Sequence, residues 1–342
     1  MKVVTAQDVK DKKVLLRLDI DVPLIKDGSN FKIGDEYRLE SGLDTLELCL
    51  ENASSVIIMG HIGRPEGEDP SLSVKPIVQW LETQYPETNL EEGALHVLEN
   101  LRFEKGEKID PASARGTADE QVVLDFAKEL ASLGEIFINE SFAAYHSAAS
   151  TTVLPTLIPS YAGLRFKREV DEILAVKNNP ERPLVAILGG AKLEDKLPVV
   201  DTMSKIADIV LVGGKLASEM RAKLAITGDK YGKNVYIANL TEDGQDINEA
   251  TIEAWRPHLE SATEIIWNGP LGKVEDPKNL STQKIAEIII NTQAKTIIGG
   301  GDTVAALDKW GMLDKFSFVS TGGGAMLKLL VDGTLPTIQA LE

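Results

Sequence analysis

The stretch RLDIDVPL, residues 17 to 24, closes an apolar run with two carboxylates, Asp19 and Asp21. Side chains alternate along a strand, so residues two apart share a face and this pair would project together. Paired carboxylates can bind a metal, carry protons or accept hydrogen bonds from a hydroxylated substrate; loop capping accounts for them as well. Further along, Arg38 opens a predicted helix, GHIGRP brings His61 and Arg64, and ENLRFEKGE brings Arg102. One arginine at a strand end usually makes no more than a surface ion pair. Three gathered on one side of an acidic protein point to a local anion site. His61 and His146 are candidate general bases, but no Ser–His or Cys–His arrangement with a third partner stands out, and the four histidines lack metal-ligand spacing.

A second set of chemistry lies in glycine-rich turns. LGGAKLEDK carries Gly189, Gly190, Ala191, Lys192 and Lys196; DIVLVGG ends in Gly213 and Gly214; IIGGGDTV holds Gly299, Gly300, Gly301, Asp302 and Thr303; STGGGAM includes Gly323. Glycine lets a phosphate approach the backbone, and the free amides and dipole at a helix start favour an anion. Lys192 and Lys196 supply mobile positive charge for a polyphosphate, and Asp302 at a helix start is placed to hold Mg²⁺. Each turn taken singly is explained by a tight strand-to-helix connection; together they indicate a nucleotide. WNGPLGKVE adds Asn268 and Pro270 at a strand end and Glu275 as an acceptor for ribose hydroxyls. No GxxxxGK[ST] loop is present and GGGDTV lacks the third glycine of GxGxxG, which argues against a Walker ATPase and a regular dinucleotide fold.

The elements that must carry these residues are short Val/Ile-rich runs: 14–20, 55–60, 94–100, 135–139, 185–190, 208–214, 264–269, 295–300 and 316–321. They read as buried parallel strands, and helical periodicity between them, at 38–50, 122–133, 247–259 and 282–290, gives an α/β architecture. The polar residues and glycines sit where each run ends, which is where open α/β sheets bind ligands. Strand ends carry Asp, His and Arg before about residue 165 and Gly, Lys and Asn after about 180. LRFKREVDEILAVKNNPERP between them reads as an amphipathic connecting helix, so two domains with a hinge are expected.

The chain has 342 residues and a formal net charge of −17, which disfavours general binding to nucleic acid or anionic membrane. Cys49 is its one cysteine, which fits a reducing compartment, and neither a signal-peptide pattern nor a membrane-spanning run is seen, so a cytoplasmic protein is expected.

Taken together and in order, VLLRLDIDVP, Arg38, GHIGRP, LENLRFEKGE, INESFAAYH, LGGAKLEDK, VGGKLA, WNGPLGKVE, IIGGGDT and STGGGA resemble phosphoglycerate kinase over nearly the whole chain. The resemblance implies two doubly wound, Rossmann-like parallel-sheet domains facing a cleft and joined by a hinge helix. It implies an acid-substrate domain at 1–165, an interdomain helix at 166–182, a Mg-nucleotide domain at 183–328 and a tail at 329–342 that returns to the first domain. The implied reaction is reversible phosphoryl transfer between ATP and the carboxylate of 3-phosphoglycerate, in a monomer. Asp19, Arg38, His61, Arg64 and Arg102 would bind the acid, with Arg38 also stabilising the transferring group. Lys192, Lys196, Gly300 and Gly323 would serve the transfer, Asp302 would hold Mg²⁺, and Asn268, Pro270 and Glu275 would line the nucleotide.

The departures cluster on the acid side. Asp21 stands where the family motif has Asn; in the stretch from Asn139 to Ala149, His146 is retained, Ser147 replaces an arginine and Ala149 a histidine. Arg165, Lys167 or Arg168 are candidates to make good the lost charge. Two alternatives therefore stay open: a diverged kinase for another carboxylate, and a catalytically impaired nucleotide-binding regulator.

Overall fold

The fold is described from a computed structural model over residues 1–28, 30–86, 94–190, 193–227 and 231–342. Ala191 and Lys192, both expected at the nucleotide site, lie outside the described residues. The chain forms two compact units, one of Met1–Glu169 with Thr334–Glu342, the other of Val170–Gly333.

The first unit is built on a parallel sheet of β1 (Lys13–Arg17), β4 (Ser55–Met59), β5 (Leu95–Val97), β6 (Ile136–Asn139) and β7 (Ser160–Ala162), in the order β5-β4-β1-β6-β7. Central β1 pairs with both neighbours, Leu15 standing opposite Ile57 on one side and Phe137 on the other. Val14, Leu15 and Leu16 are fully buried, so both faces of the strand are covered. That is why its sequence is an unbroken apolar run rather than an alternating one. The chain winds from β1 outward through β4 to β5, then crosses back to place β6 on the other side of β1.

The second unit has six parallel strands: β8 (Leu184–Leu188), β9 (Ile209–Val212), β10 (Val235–Ile237), β11 (Glu264–Asn268), β12 (Lys295–Gly299) and β13 (Phe318–Val319). Their order is β10-β9-β8-β11-β12-β13. Numbered within the unit this is 3-2-1-4-5-6, the doubly wound order whose direction reverses between β8 and β11. A ligand sits outside the carboxyl ends of the strands at such a reversal.

Four strands were not legible. β2 (Leu24–Asp27) and β3 (Asn30–Ile33) form an antiparallel hairpin whose polar LIKD and NFKI lack an apolar run, and β7 and β10 are three residues each. The helix expected over 38–50 is two helices, Tyr37–Glu40 and Leu43–Asn52. Gly42 separates them and passes so close to Leu18 that a Cβ there would lie 2.9 Å from its Cδ2. The connecting segment is a single helix, Leu164–Asn178. Residues 329–332, expected in the tail, finish the helix Gly323–Asp332, which Gly333 closes at φ 75°. Among the described residues no helix is long and apolar enough to cross a membrane.

Candidate active site

In the first unit the turns that follow β1 and β4 bring the predicted acidic and basic residues together. Arg38, on the Tyr37–Glu40 helix, donates from Nη1 to the main-chain oxygen of Asp21 at 2.6 Å. The same nitrogen lies 3.7 Å from Asp21 Oδ2 and 4.0 Å from Asp19 Oδ1, so one guanidinium serves both carboxylates. Asp21 Oδ1 accepts from the Gly63 amide at 2.8 Å, and Arg102 Nη1 donates to the Gly63 carbonyl at 2.6 Å, which ties the turn after β5 to the same spot. Asn100 holds both turns in place, accepting from the Ile62 and Arg102 amides and donating to the Ile62 and Leu72 carbonyls.

His61 is buried between Arg17 and Asp21. Arg17 Nη2 lies 3.3 Å from His61 Nδ1. A guanidinium can only donate, so Nδ1 is the acceptor and the ring hydrogen resides on Nε2, which faces Asp21 Oδ2 at 3.6 Å. Burial first, then the positive charges of Arg17 and Arg102, bring the imidazole down to about 4. It is therefore a neutral hydrogen-bond donor at neutral pH rather than the general base first considered.

The two aspartates differ sharply. Burial drives Asp19 up to about 6, with Arg38 opposing and Asp21 assisting, and neither of its carboxylate oxygens accepts a well-formed hydrogen bond. For Asp21 burial also works upward, but His61, the Gly63 amide and Arg38 outweigh it and hold the carboxyl at about 2.

Three supporting residues carried no assignment in the sequence reading. Arg17, only 2% exposed, pairs with Glu107 at 3.6 Å and donates from Nε to the Ser150 hydroxyl at 2.9 Å. Glu107 in turn accepts from the Ser150 amide and hydroxyl at 3.0 and 2.6 Å. The available signal was an arginine inside the apolar run VLLRLDI, since a buried charge requires a partner. His146 is exposed with its ring stacked 4.0 Å from that of Tyr145, and half-buried Ser147 precedes the turn that carries Ser150. Arg64 is exposed, and its charge adds to the burial that lowers Arg102. Arg165 is engaged by Glu169 of its own helix at 3.0 Å and by the Tyr37 hydroxyl of the Tyr37–Glu40 helix at 3.2 Å.

In the second unit the glycine turns meet backbone against backbone. The Gly189 amide donates to the Asn268 carbonyl at 2.9 Å, that of Gly190 to the Pro270 carbonyl at 2.6 Å, and that of Gly213 to the Leu188 carbonyl at 2.9 Å. These three amides are thus spent within the unit, and the glycines there permit close packing rather than offering donors. At Gly269, φ is 95° and a side chain would run into Gly189; at Gly323 a Cβ would come within 2.5 Å of Gly300 Cα and 2.6 Å of its nitrogen. Neither position has room for alanine. Asn268 Nδ2 donates to the Gly323 carbonyl at 3.2 Å and joins the turns after β11 and β13. Lys196 reaches back along its helix to donate to the Gly189 carbonyl, placing its ammonium beside the β8–β11 reversal.

The helix Gly301–Lys309 begins directly after Gly300, whose φ is 100°. Its first amides have no partners within the helix, an arrangement that favours an anion at the end of β12. Asp302 is exposed in this first turn, whereas the Thr303 side chain is fully buried and leaves only its main chain for a ligand. Glu275 is exposed on the turn after β11, and Gly214 opens the helix Gly214–Thr227 after β9. Buried Asp246, also unassigned from sequence, fastens the Glu275 turn: it accepts from the Ile247 amide at 2.9 Å, the Ser281 amide at 3.1 Å and the Ser281 hydroxyl. Among the described residues no group of three His, Cys, Asp or Glu could hold a metal ion by itself.

Fold and site together describe a doubly wound α/β enzyme with charged residues at one sheet reversal and glycine turns at the other. The family model for phosphoglycerate kinase matches residues 4–243 and 222–333. The phosphoglycerate kinase of Dictyostelium discoideum is 33% identical across 98% of this chain and 96% of its own, and that of Chloroflexus aurantiacus 33% identical across 100% and 98%. Among solved structures, phosphoglycerate kinase from Pyrococcus horikoshii OT3 superposes with a TM-score of 0.83 at 25% identity, covering 100% of this chain and 98% of its own. The structure of phosphoglycerate kinase from Coxiella burnetii gives 0.78 at 28% identity, covering 97% and 96%. The chain belongs to the phosphoglycerate kinase family.

Proposed function

We propose that the protein catalyses reversible phosphoryl transfer between ATP and the carboxylate of 3-phosphoglycerate, giving ADP and 1,3-bisphosphoglycerate, the ATP-forming step of glycolysis when run in reverse. The observation that carries this reading is the meeting of the glycine turns after β8, β11, β12 and β13 at a sheet reversal, beside Lys196 and the start of the Gly301–Lys309 helix.

The second unit holds the nucleotide, with Lys192, Lys196 and the helix-start amides of Gly301–Thr303 on the phosphates and Asn268, Pro270 and Glu275 along the base and ribose. An exposed carboxylate at the start of this helix suits Mg²⁺ carried by a nucleotide, which needs only one or two protein carboxylates besides phosphate oxygens. Asp302 would hold that ion, which neutralises phosphate charge when bound. The first unit holds the acid: Arg38, Arg64 and Arg102 attract its anionic groups, His61 donates from Nε2, and Asp19 meets its hydroxyl. No covalent nucleophile is required, because the substrate carboxylate attacks the γ-phosphorus in line and the protein positions the reactants and offsets charge. We read the enzyme as a cytoplasmic monomer, consistent with a fully buried Cys49 and a strongly acidic chain.

No structural observation favours another carboxylate or a non-catalytic regulator. Arg38→Ala and Lys196→Ala test the reading separately. With 3-phosphoglycerate and Mg-ATP in a coupled assay, each is expected to lower kcat/KM at least about a hundredfold, the scale of a lost charge-assisted contact in a transition state. Near wild-type turnover in both variants would contradict it.

A further inference from the structure

Asp19 is a carboxylate only 5% exposed whose oxygens accept no well-formed hydrogen bond, and its nearest cation, Arg38 at 4.0 Å, is shared with Asp21. We propose that Asp19 and Asp21 behave as one acidic pair and that binding of the acid substrate loads a proton from solvent onto Asp19. The inference rests on the functional reading above and specifies how that site keeps its charge in balance.

The groups facing the pair leave few alternatives. From β1 comes Arg17, already neutralised by Glu107 at 3.6 Å. From the Tyr37–Glu40 helix comes Arg38, and from the turn after β4 come His61, locked as a neutral donor by Arg17, and the Gly63 amide. The turn after β5 contributes Arg102, whose Nη1 is given to the Gly63 carbonyl, and exposed Arg64 lies further out. Asp21 takes nearly all the donors on offer, so its charge is secured. Asp19 has Arg38 as its nearest cation, with Arg17 and the Asp21 amide adding weaker support.

An arriving carboxylate or phosphate competes for that same guanidinium. A buried carboxylate that loses its counter-charge beside new negative charge takes up a proton. Asp19 needs little persuasion, standing at about 6 before any ligand arrives. Once protonated it offers an O–H to a substrate oxygen that a carboxylate would repel, and the cluster accepts an anion without expelling Asp21 from its bonds. Asp21 thereby tunes specificity: its fixed negative charge adds to the burial that favours a proton on Asp19, and that proton stands in for positive charge that Ser147 does not supply.

Calorimetric titration of 3-phosphoglycerate into the full chain near pH 7.5, in two buffers of different ionisation enthalpy, counts the protons exchanged. The wild type is expected to take up roughly half to one proton per substrate, and its Kd to weaken by about three- to tenfold per pH unit above neutrality. Binding of the dianionic form of the ligand's own phosphate releases protons, the opposite sign, and does so equally in any variant. In Asp21→Asn, relief of the neighbouring charge removes one of the two influences that favour the proton on Asp19, so uptake falls measurably below that of the wild type and the pH dependence of Kd flattens. Wild-type binding without uptake, or equal uptake in Asp21→Asn, overturns the inference and leaves the functional reading intact. Failure of the wild type to bind 3-phosphoglycerate at all overturns both.

Discussion

Arg17 shows what a single buried charge does in this molecule. It fixes the tautomer of His61 through Nδ1, and it is itself held by Glu107 and Ser150. Removing one partner of a buried ion pair leaves an uncompensated charge, at a cost of about 3 to 5 kcal/mol. Glu107→Ala is therefore expected to lower the unfolding free energy by about that much in urea titrations, and to raise KM for the acid more than for ATP as His61 loses its support. A change below about 1 kcal/mol would mean that Arg17 is held by other means. At this scale the sequence disclosed the charged groups at the strand ends, because Asp19, His61 and Arg102 follow apolar runs and Arg38 opens a predicted helix. It concealed those that work from behind: Glu107 and Asp246 look like ordinary surface acids in charged stretches, and only the chain's path buries them beside Ser150 and Ser281.

Among elements, the start of the Leu164–Asn178 helix depends on Glu140. This buried carboxylate accepts from the amides of Arg165 at 2.9 Å and Phe166 at 2.8 Å and from the Thr45 hydroxyl at 2.5 Å. Burial pushes it up to about 7, against those hydrogen bonds. The folded state thus holds this proton more tightly than the unfolded chain does, and the stability it contributes is full below the ordinary glutamate range and lost as pH rises through about 7. Asp19, raised to about 6, acts with the same sign at lower pH, while His61, lowered to about 4, acts with the opposite sign and largely offsets it there. Unfolding free energy measured by denaturant titration is accordingly expected to fall between about pH 4.5 and 7. Glu140→Gln should flatten that slope and also destabilise at every pH, because its amide turns a donor toward donors. An unchanged slope would show that another group titrates. The glycine turns make a separate prediction: Gly323→Ala, with no room beside Gly300, should cut kcat/KM for Mg-ATP by more than about tenfold while leaving far-UV circular dichroism intact. Elements with apolar runs were legible from sequence, since a strand buried on both faces must be apolar throughout. The β2–β3 hairpin and the break at Gly42 were not, because pairing and close approach to Leu18 decide them rather than local pattern.

For the whole molecule, two units with their own sheets carry different residues at their strand ends, Asp, His and Arg in one and mainly Gly, Lys and Asn in the other. Their doubly wound orders place Asp19 at the reversal of one sheet and Gly189 with Asn268 at the reversal of the other. Ligands that bind only the folded state protect the part that binds them. Hydrogen exchange should therefore slow most around 188–190, 268–270 and 299–303 with Mg-ADP, and around 19–22 and 61–64 with 3-phosphoglycerate. Protection by Mg-ADP confined to the first unit would contradict the assignment of sites. The topology was readable only as far as an alternation of strands and helices; the order of strands was not, because sheet neighbours are distant in sequence. The most direct test of the central claim is turnover by the wild-type enzyme in a coupled assay with saturating 3-phosphoglycerate and Mg-ATP. ADP formation that depends on both substrates together is the expected result; a folded protein that forms none would contradict the proposed function.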